Sequence, residues 1–277
     1  MIRFEDLSVI PVGTVHSVIK LKDDMPVQGV TADIEVFMEY VDAMEGIEDY
    51  SHLFILSWLH EADRDVLKAT PRKISPELPE KGIFSMRSPS RPNPIALTPV
   101  TLLGRSGRFL HVSNMDVIDG TPVLDIKPYH AGWDCIFSAR NPDKTEKIKK
   151  MMPKDLKESF KREAFNYHGE LCIGLAVAVR MAMVANQALE TDLRVENVGI
   201  VIGKNPCISD SLIGITGARL GTHRLLYNLN PKITMANDSY SIFNDKKTII
   251  FKLKRFMKDF FGVLECDAND LFNIEVI

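Results

Sequence analysis

The chain has 277 residues, which exceeds a typical single domain and favours two compact units. Hydrophobic residues make up 45% of the chain and charged residues 26%, a composition that excludes wholesale disorder. Four scattered cysteines exclude a disulfide framework, and no apolar run approaches the roughly 20 residues of a membrane span. The first residues lack the basic-then-apolar layout of a secretory signal, so a cytoplasmic protein is predicted.

The first half of the chain is predicted to form short strands. Apolar or β-branched runs at Leu7–Thr14 and Val15–Lys22 predict two strands that meet near Gly13. The continuous apolar run His52–Leu59 is typical of a strand buried on both faces. Further short strands are predicted at Thr31–Tyr40, Gly82–Met86, Thr98–Leu103 and Phe109–Asp116. Many short strands without a helical period favour a barrel or a sandwich.

A change of composition separates this half from the next. Residues 141–160 are rich in lysine and contain Pro142 and Pro153, which predicts a basic linker. The expected domains are therefore residues 1–140 and 161–277.

The second half is predicted to be α+β. Gly174–Glu190 is rich in Ala, Met and Leu and apolar on nearly all sides, which predicts a buried helix. The remaining predictions are a strand at Val195–Gly203, a helix that begins at Ser209 or Asp210 and runs to Leu220, two strands within Ile233–Lys254 that turn at Asn244 and Asp245, and a final short helix and strand.

Positive charge is concentrated in two segments, although the formal net charge is -3. Residues 64–91 contain seven Lys or Arg residues and three acids, and residues 144–162 contain eight Lys or Arg residues. Clustered cations release counterions from phosphates, which suits a polyanionic partner. Solvated helix faces and linkers explain the same pattern equally well.

Two stretches carry the most informative motifs. In KGIFSMRSPSRPNPIALTP, Lys81–Pro99, Arg87 and Arg91 precede a Pro-Asn-Pro loop whose backbone is rigid. Such arginines suit bidentate contacts to carboxylate or phosphate, and an architectural turn with two surface arginines is the alternative. MDVIDGTPVLDIKPY, Met115–Tyr129, contains three carboxylates that suit a cation, a ligand's hydrogen-bond donors, or turn stabilisation.

These motifs resemble the TsaA-like family, which includes the tRNA methyltransferase that N6-methylates threonylcarbamoyl-adenosine beside the anticodon. The resemblance covers about residues 7–137, with MPVQG at Met25–Gly29, GIEDYSHLFILSWLHE at Gly46–Glu61, GIFSMRSPSRPNPIAL at Gly82–Leu97 and DVIDGTPVLDIKPY at Asp116–Tyr129. It implies a small antiparallel β-barrel that binds S-adenosylmethionine without a Rossmann domain and forms a homodimer. The sequence has no G-x-G-x-x-G motif, which agrees with this implication.

The resemblance also implies which residues contact the cofactor. They are Pro26, Val27, Gln28, His60, Glu61, Arg87, Leu97, Met115, Asp116, Val117 and Ile118. Bacterial relatives often have Gln at the position of Glu61. An adenine needs apolar walls and backbone hydrogen bonds, and the methionine carboxylate needs an arginine such as Arg87.

Methyl transfer from a sulfonium depends mainly on positioning, because the leaving group is already good and the acceptor nitrogen can lose its proton after attack. Arg91 and Lys127 suit phosphate contacts, and Tyr129 suits stacking on a base. The candidates to orient or contact the acceptor are Arg91, Asn93, Asp125, Lys127 and Tyr129.

The second half contains a separate cluster of reactive residues. His168 and Cys172 lie just before the long apolar helix, and Cys207 follows with Asp210. A cysteine at a helix N-terminus is biased toward thiolate, which suits a nucleophile or a soft-metal ligand.

YHGELCIGLAVAVR, NPCISDSLIGITGARLG and NDLFNIEVI resemble the E-type family of formylmethanofuran dehydrogenase proteins. Glu170 replaces that family's second His, and Ala218 stands where a second Cys commonly occurs. His168, Cys172 and Cys207 remain as candidate zinc ligands. The altered site is expected to be weakened, to recruit Glu170, or to be purely structural.

The sequence therefore predicts an α+β protein in which a TsaA-like barrel precedes a domain of the formylmethanofuran dehydrogenase E type. The predicted activity is S-adenosylmethionine-dependent methylation of threonylcarbamoyl-adenosine in the tRNA anticodon loop. One alternative is a methyltransferase for a small molecule, thiol or metalloid held by the second domain. Another is a module that binds S-adenosylmethionine or a metal without catalysis.

Overall fold

The chain forms two compact units in a computed structural model. The described residues are 8–72, 74–139, 144–228, 238–255 and 258–277. The first unit comprises Met1–Arg72 and Pro79–Ile136, and the second comprises Lys73–Leu78 and Phe137–Ile277. In the described part of the chain, no helix has the length and apolar character needed to cross a membrane.

The first unit is a β-barrel, as predicted. Its strands are β1 (Gly13–Ser17), β2 (Val30–Val36), β3 (His52–Trp58), β4 (Lys68–Ala69), β5 (Lys81–Gly82), β6 (Ile95–Ser106), β7 (Phe109–Met115) and β8 (Pro122–Pro128), and a short helix, α1 (Ala131–Asp134), follows. Six strands close an antiparallel barrel in the order β1-β2-β7-β6-β3-β8, while β4 and β5 form a separate ribbon. The barrel interior contains Val15, Ile34, Leu53, Ile55, Val100, Leu110, Val112 and Val123, all fully buried.

Strand β3 shows how barrel closure differs from the sequence prediction. Leu53, Ile55 and Ser57 are buried, whereas Phe54 and Trp58 on the other face are only half-buried. The prediction of burial on both faces is wrong, because a barrel strand has only one inner face and successive side chains alternate between faces.

Two predicted features of the first unit have different roles in the structure. Gly13 begins β1 instead of forming a turn, and an added Cβ there would collide with the carbonyl oxygen of Glu35 on β2. The predicted strand Gly82–Met86 is mainly a 3-10 turn at Ile83–Ser85.

The second unit is α+β, which confirms the predicted fold class. Its helices are α2 (Lys144–Lys150), α3 (Pro153–His168), α4 (Ile173–Leu189), α5 (Pro206–Thr216), α6 (Phe260–Glu265) and α7 (Ala268–Leu271). Its strands are β9 (Gly199–Ile202), β10 (Leu225–Tyr227), β11 (Ser239–Phe243), β12 (Thr248–Leu253) and β13 (Phe272–Val276), in the sheet order β10-β9-β11-β12-β13. The predicted buried helix is α4, and the predicted pair of strands after residue 238 is β11 and β12; residues 233–237 lie outside the described part.

Most of the segment predicted as a basic linker belongs to the second unit. Ile148, Leu156 and Phe160 on α2 and α3 are buried in its core, and the lysines lie on the other faces of these helices. The composition alone hid this because an amphipathic helix with few apolar positions resembles a linker.

Helix α5 begins earlier than predicted. Asn205 is its N-cap, and the side-chain Oδ1 accepts a hydrogen bond from the backbone N–H of Ile208 at 3.2 Å. Pro206 follows at the first helical position, where its missing N–H costs nothing. Ser209 and Asp210 therefore lie inside the helix, and the predicted caps are wrong.

Candidate functional site

Several predicted cofactor residues meet where β6 and β7 lie side by side in the barrel. The side-chain Nδ2 of Asn114 donates to the carbonyl oxygen of Gln28 at 3.4 Å. Thr98, next to Leu97, donates from Oγ1 to Oδ1 of Asp116 at 2.6 Å. Segments that are distant in the sequence are thereby held at one end of the barrel.

Gly29 brings the MPVQG segment against the end of β7. Its φ is +73°, and an added Cβ would lie 2.6 Å from the carbonyl oxygen of Met115. The backbone N–H of Gly29 also donates to the carbonyl oxygen of Pro26 at 3.0 Å, which closes a turn. Only glycine combines this left-handed backbone with so close an approach.

The predicted cofactor residues differ in exposure. Val27 and Leu97 are 59% and 50% exposed, and Met115 and Val117 are buried. The other exposed members are Pro26, His60, Glu61, Arg87 and Asp116, and Gln28 and Ile118 are half-buried. The exposed side chains are available to a ligand, whereas Met115 and Val117 contribute mainly to the barrel core.

His60 lies near the same end of the barrel. Trp58 at the end of β3 pairs with Ile95, and the backbone N–H of Leu59 donates to the carbonyl oxygen of Pro94 at 2.7 Å. His60 therefore follows a strand end that is fixed beside the start of β6, two residues before Leu97.

Two arginines brace the Pro-Asn-Pro loop. Arg91 donates from Nη2 to the carbonyl oxygens of Ile83 and Met86, both at 3.2 Å. Arg64 donates from Nε to the carbonyl oxygen of Pro92 at 3.0 Å, and its guanidinium lies 5.5 Å from the centre of the Trp58 ring. These contacts favour a positioning role for Arg91 over the predicted contact to the acceptor. Sequence reasoning did not assign this role to Arg64.

Asp125 and Lys127 lie on β8, across β3 from the cofactor residues. Leu56 of β3 pairs with Leu97 on one side and with Asp125 on the other. Asp125 is therefore two strands from Leu97, or about 10 Å at ordinary strand spacing. Its Oδ2 lies 2.7 Å from Nζ of Lys127, so the two charges neutralise each other at the surface.

Tyr129 lies at the opposite end of β3. Its backbone N–H donates to the carbonyl oxygen of His52, and its ring centre is 5.2 Å from that of Phe54. Burial, with smaller contributions from Cys135 and Asp134, raises the pKa of Tyr129. The length of β3 separates Tyr129 from His60 by about 20 Å. Asn93 is exposed on the Pro-Asn-Pro loop.

The mid-chain lysine tract is partly neutralised by nearby acids. Lys157 donates to Oε1 of Glu265 at 2.5 Å, and this hydrogen bond lowers the pKa of Glu265. The other ion pairs are Lys149–Glu146, Lys150–Glu77 and Lys161–Glu158. The tract therefore presents less unpaired positive charge than its sequence indicates.

The second unit brings the three candidate metal ligands together. His168 ends α3, Cys172 caps α4, and Cys207 lies in the first turn of α5. Nε2 of His168 is 3.3 Å from Sγ of Cys172, and the potential ligand atoms of all three residues lie within 4.8 Å of one another. Glu170 is exposed and is not part of this cluster.

The packing of α4 and α5 fixes this cluster. An added Cβ on Gly174 would lie 2.5 Å from Cβ of Cys207, so glycine permits the close approach of the two helices. Burial raises the pKa of the Cys207 thiol, and Cys172 raises it further. The His168 side chain is only 10% exposed, and its Nδ1 lies 3.5 Å from Oδ2 of Asp210 without a hydrogen bond.

One imidazole and two thiols fit the chemistry of zinc, which binds these donors at about 2.0–2.3 Å in tetrahedral sites. Three protein ligands leave a fourth position for water or another ligand. Among the described residues, no other group of His, Cys, Asp and Glu has this arrangement.

Sequence comparison relates both units to known proteins. The tRNA-methyltransferase O N-terminal domain matches residues 14–135, and the family described as FmdE, molybdenum formylmethanofuran dehydrogenase operon, matches residues 167–261.

Three relatives illustrate these matches. A probable S-adenosyl-L-methionine-binding protein of Archaeoglobus fulgidus is 36% identical over 225 residues, which cover 78% of this chain and 60% of that protein. A probable S-adenosyl-L-methionine-binding protein of Methanothermobacter thermautotrophicus is 43% identical over 135 residues, which cover 47% of this chain and 96% of that protein. A tRNA (adenine(37)-N6)-methyltransferase of Mus musculus is 40% identical over 99 residues, which cover 36% of this chain and 23% of that protein.

Proposed function

Because the chain belongs to the TsaA-like family through its tRNA-methyltransferase O N-terminal domain, we propose that it transfers a methyl group from S-adenosylmethionine to tRNA. The proposed acceptor is N6 of threonylcarbamoyl-adenosine beside the anticodon. The observation that carries the proposal is the convergence of Gln28, Met115 and Asp116 beside Leu97 at one end of the barrel.

The exposed side chains at this end suit the cofactor. Val27 and Leu97 offer apolar walls for an adenine, and Arg87 offers a guanidinium for the methionine carboxylate. Arg91 holds the loop that carries Arg87 through two backbone carbonyl groups. Pre-organised loops of this kind reduce the entropy lost on binding.

S-adenosylmethionine supplies an activated methyl group that an acceptor nitrogen can attack in line. The protein's part is to align the two reactants and exclude water from them. Asp125, in the same row as Leu97, is available to accept a hydrogen bond from the acceptor. The proton leaves the nitrogen after attack, so the site needs no strong base.

The tRNA partner is supported by the exposed cations Lys68, Arg72 and Arg87 of the first basic segment. Because the mid-chain lysines are largely paired, we assign the main phosphate contacts to this first segment. A homodimer is also part of the proposal, and the exposed apolar side chains of Ile95 and Leu97 support it.

Transfer of a radiolabelled methyl group into bulk tRNA tests the proposal. Label is expected in tRNA that has been threonylcarbamoylated and not in tRNA that lacks this modification. Equal labelling of both substrates would contradict the proposed acceptor, and labelling of neither would contradict tRNA methylation.

We further propose that His168, Cys172 and Cys207 hold a zinc ion in the second unit. Their mutual distances and donor chemistry support this assignment. If the second unit instead holds the methyl acceptor, as a thiol or metalloid methyltransferase requires, methyl transfer depends on Cys172. Independence of tRNA methylation from Cys172 would favour the tRNA substrate.

A further inference from the structure

Asp238 is a buried carboxylate just before β11 in the second unit, and its exposed fraction is 0%. Burying a carboxylate is costly unless hydrogen bonds satisfy its oxygens. Oδ2 accepts hydrogen bonds from the backbone N–H of Lys204 at 2.6 Å, from that of Asn205 at 3.2 Å and from the hydroxyl of Tyr240 at 2.6 Å. Oδ1 accepts one from the backbone N–H of Ser239 at 3.1 Å.

The loop bound by Asp238 leads directly into Cys207. Asn205 caps α5, and Cys207 is the second residue of that helix. Gly203 at the start of the loop has no room for a side chain, because an added Cβ would collide with the carboxylate of Asp238. The carboxylate therefore fixes the backbone from residue 203 to residue 205.

Tyr240 completes this arrangement. Its hydroxyl donates to Asp238 and accepts a hydrogen bond from the backbone N–H of Asn205 at 3.1 Å. The Tyr240 side chain is fully buried, and burial raises its pKa, so the hydroxyl remains a neutral donor. Two side chains, one on β11 and one on the residue before it, thus hold the N-terminus of α5.

Cys207 is confined from the other side by Gly174 of α4. A metal–thiolate bond of about 2.3 Å tolerates little displacement of the sulfur, and residues behind the ligands commonly determine their alignment. We infer that Asp238, supported by Tyr240, is a positioning residue that aligns the Cys207 thiolate with His168 and Cys172. The inference rests on the proposed zinc site.

Cobalt titration of the full chain provides the test, since bound cobalt reports each thiolate ligand by a charge-transfer band. Asp238→Asn preserves the side-chain volume but replaces one acceptor oxygen with a donor. We expect about tenfold weaker cobalt binding, within the range for residues behind metal ligands, and a smaller thiolate band per bound cobalt. Tyr240→Phe removes one hydroxyl and is expected to weaken binding in the same direction by a smaller factor.

Asp192→Asn is the matched control. Asp192 is also buried, at 3% exposed, and it accepts a hydrogen bond from the backbone N–H of Arg194 at 3.1 Å. It lies between α4 and β9, away from the loop that precedes Cys207. This variant is expected to lower the thermal midpoint while keeping the wild-type cobalt affinity and spectrum.

The outcomes separate the inference from the zinc site itself. A wild-type protein without a thiolate band would overturn the zinc site and the inference together. A normal wild-type band with unchanged affinity and spectrum in Asp238→Asn and Tyr240→Phe would overturn the inference alone. If Asp238→Asn does not fold, Tyr240→Phe decides, because its ring can remain packed.

Discussion

The two units present their candidate sites in different ways. In the barrel, Val27, Arg87 and Leu97 come from separate segments, and their side chains are exposed at strand ends and loops. In the second unit, His168 and Cys172 are already in contact because packed helices hold them. The barrel site therefore depends on backbone register and loop bracing, whereas the second site depends on helix packing. Each is expected to fail under different substitutions.

Cys172→Ser should give the largest effect and separate the two sites most clearly. Loss of a thiolate ligand is expected to weaken zinc binding by more than about a hundredfold, beyond the loss typical of residues behind a ligand. Cys266→Ser is the matched control, because Cys266 is partly buried in the same unit and its thiol donates to the carbonyl oxygen of Val263. Equilibrium dialysis measures the metal, and tRNA methylation should be unchanged in both variants. Loss of methylation in Cys172→Ser alone would make the second unit part of the acceptor site.

Gly29→Ala tests the backbone approach on which the barrel site depends. The positive φ and the close carbonyl oxygen of Met115 both oppose a Cβ. Gly120→Ala is the matched control, since Gly120 has a φ of +74° but open space around it. Gly29→Ala is expected to cost about 1–3 kcal/mol more in the free energy of unfolding, the usual cost of overpacking, and to weaken cofactor binding. Equal costs in denaturant titrations would remove the proposed role of this contact.

Arg91→Lys distinguishes loop bracing from a phosphate contact. Lysine keeps the charge but cannot reproduce two hydrogen bonds from one planar group. If Arg91 braces the loop, cofactor affinity should fall about tenfold, because hydrogen bonds from charged groups contribute roughly 1.5–3 kcal/mol. The salt dependence of tRNA binding should not change. Normal cofactor affinity with weakened tRNA binding would restore the predicted contact to the acceptor.

His52→Gln is expected to give the smallest effect, confined to the barrel. Burial lowers the pKa of His52, so the unfolded chain binds a proton more readily than the folded chain. Wild-type stability should therefore fall as the pH drops below about 6.5, and the variant should show a flatter dependence. Denaturant titrations between pH 7 and pH 5 measure the difference. Identical pH dependence in both proteins would contradict this role of His52.

The sequence predicted the fold better than the roles of individual polar residues. Alternating apolar strands and specific motifs predicted the barrel, and an Ala-rich apolar run predicted α4. The burial of β3 was wrong because residue order does not reveal which face of a barrel strand points inward. Asp238 could not be assigned because its partners Lys204 and Asn205 lie more than 30 residues away, outside any motif. Arg91 likewise met backbone carbonyl groups, which carry no sequence signal.

Calorimetric titration of the folded full chain with S-adenosylmethionine is the most direct test of the barrel site. We expect saturable heat with one cofactor per chain, and weaker binding in Arg87→Ala, whose guanidinium is exposed for the carboxylate. Absence of heat with both S-adenosylmethionine and its demethylated product would contradict the assignment of the barrel as a methyl-donor site.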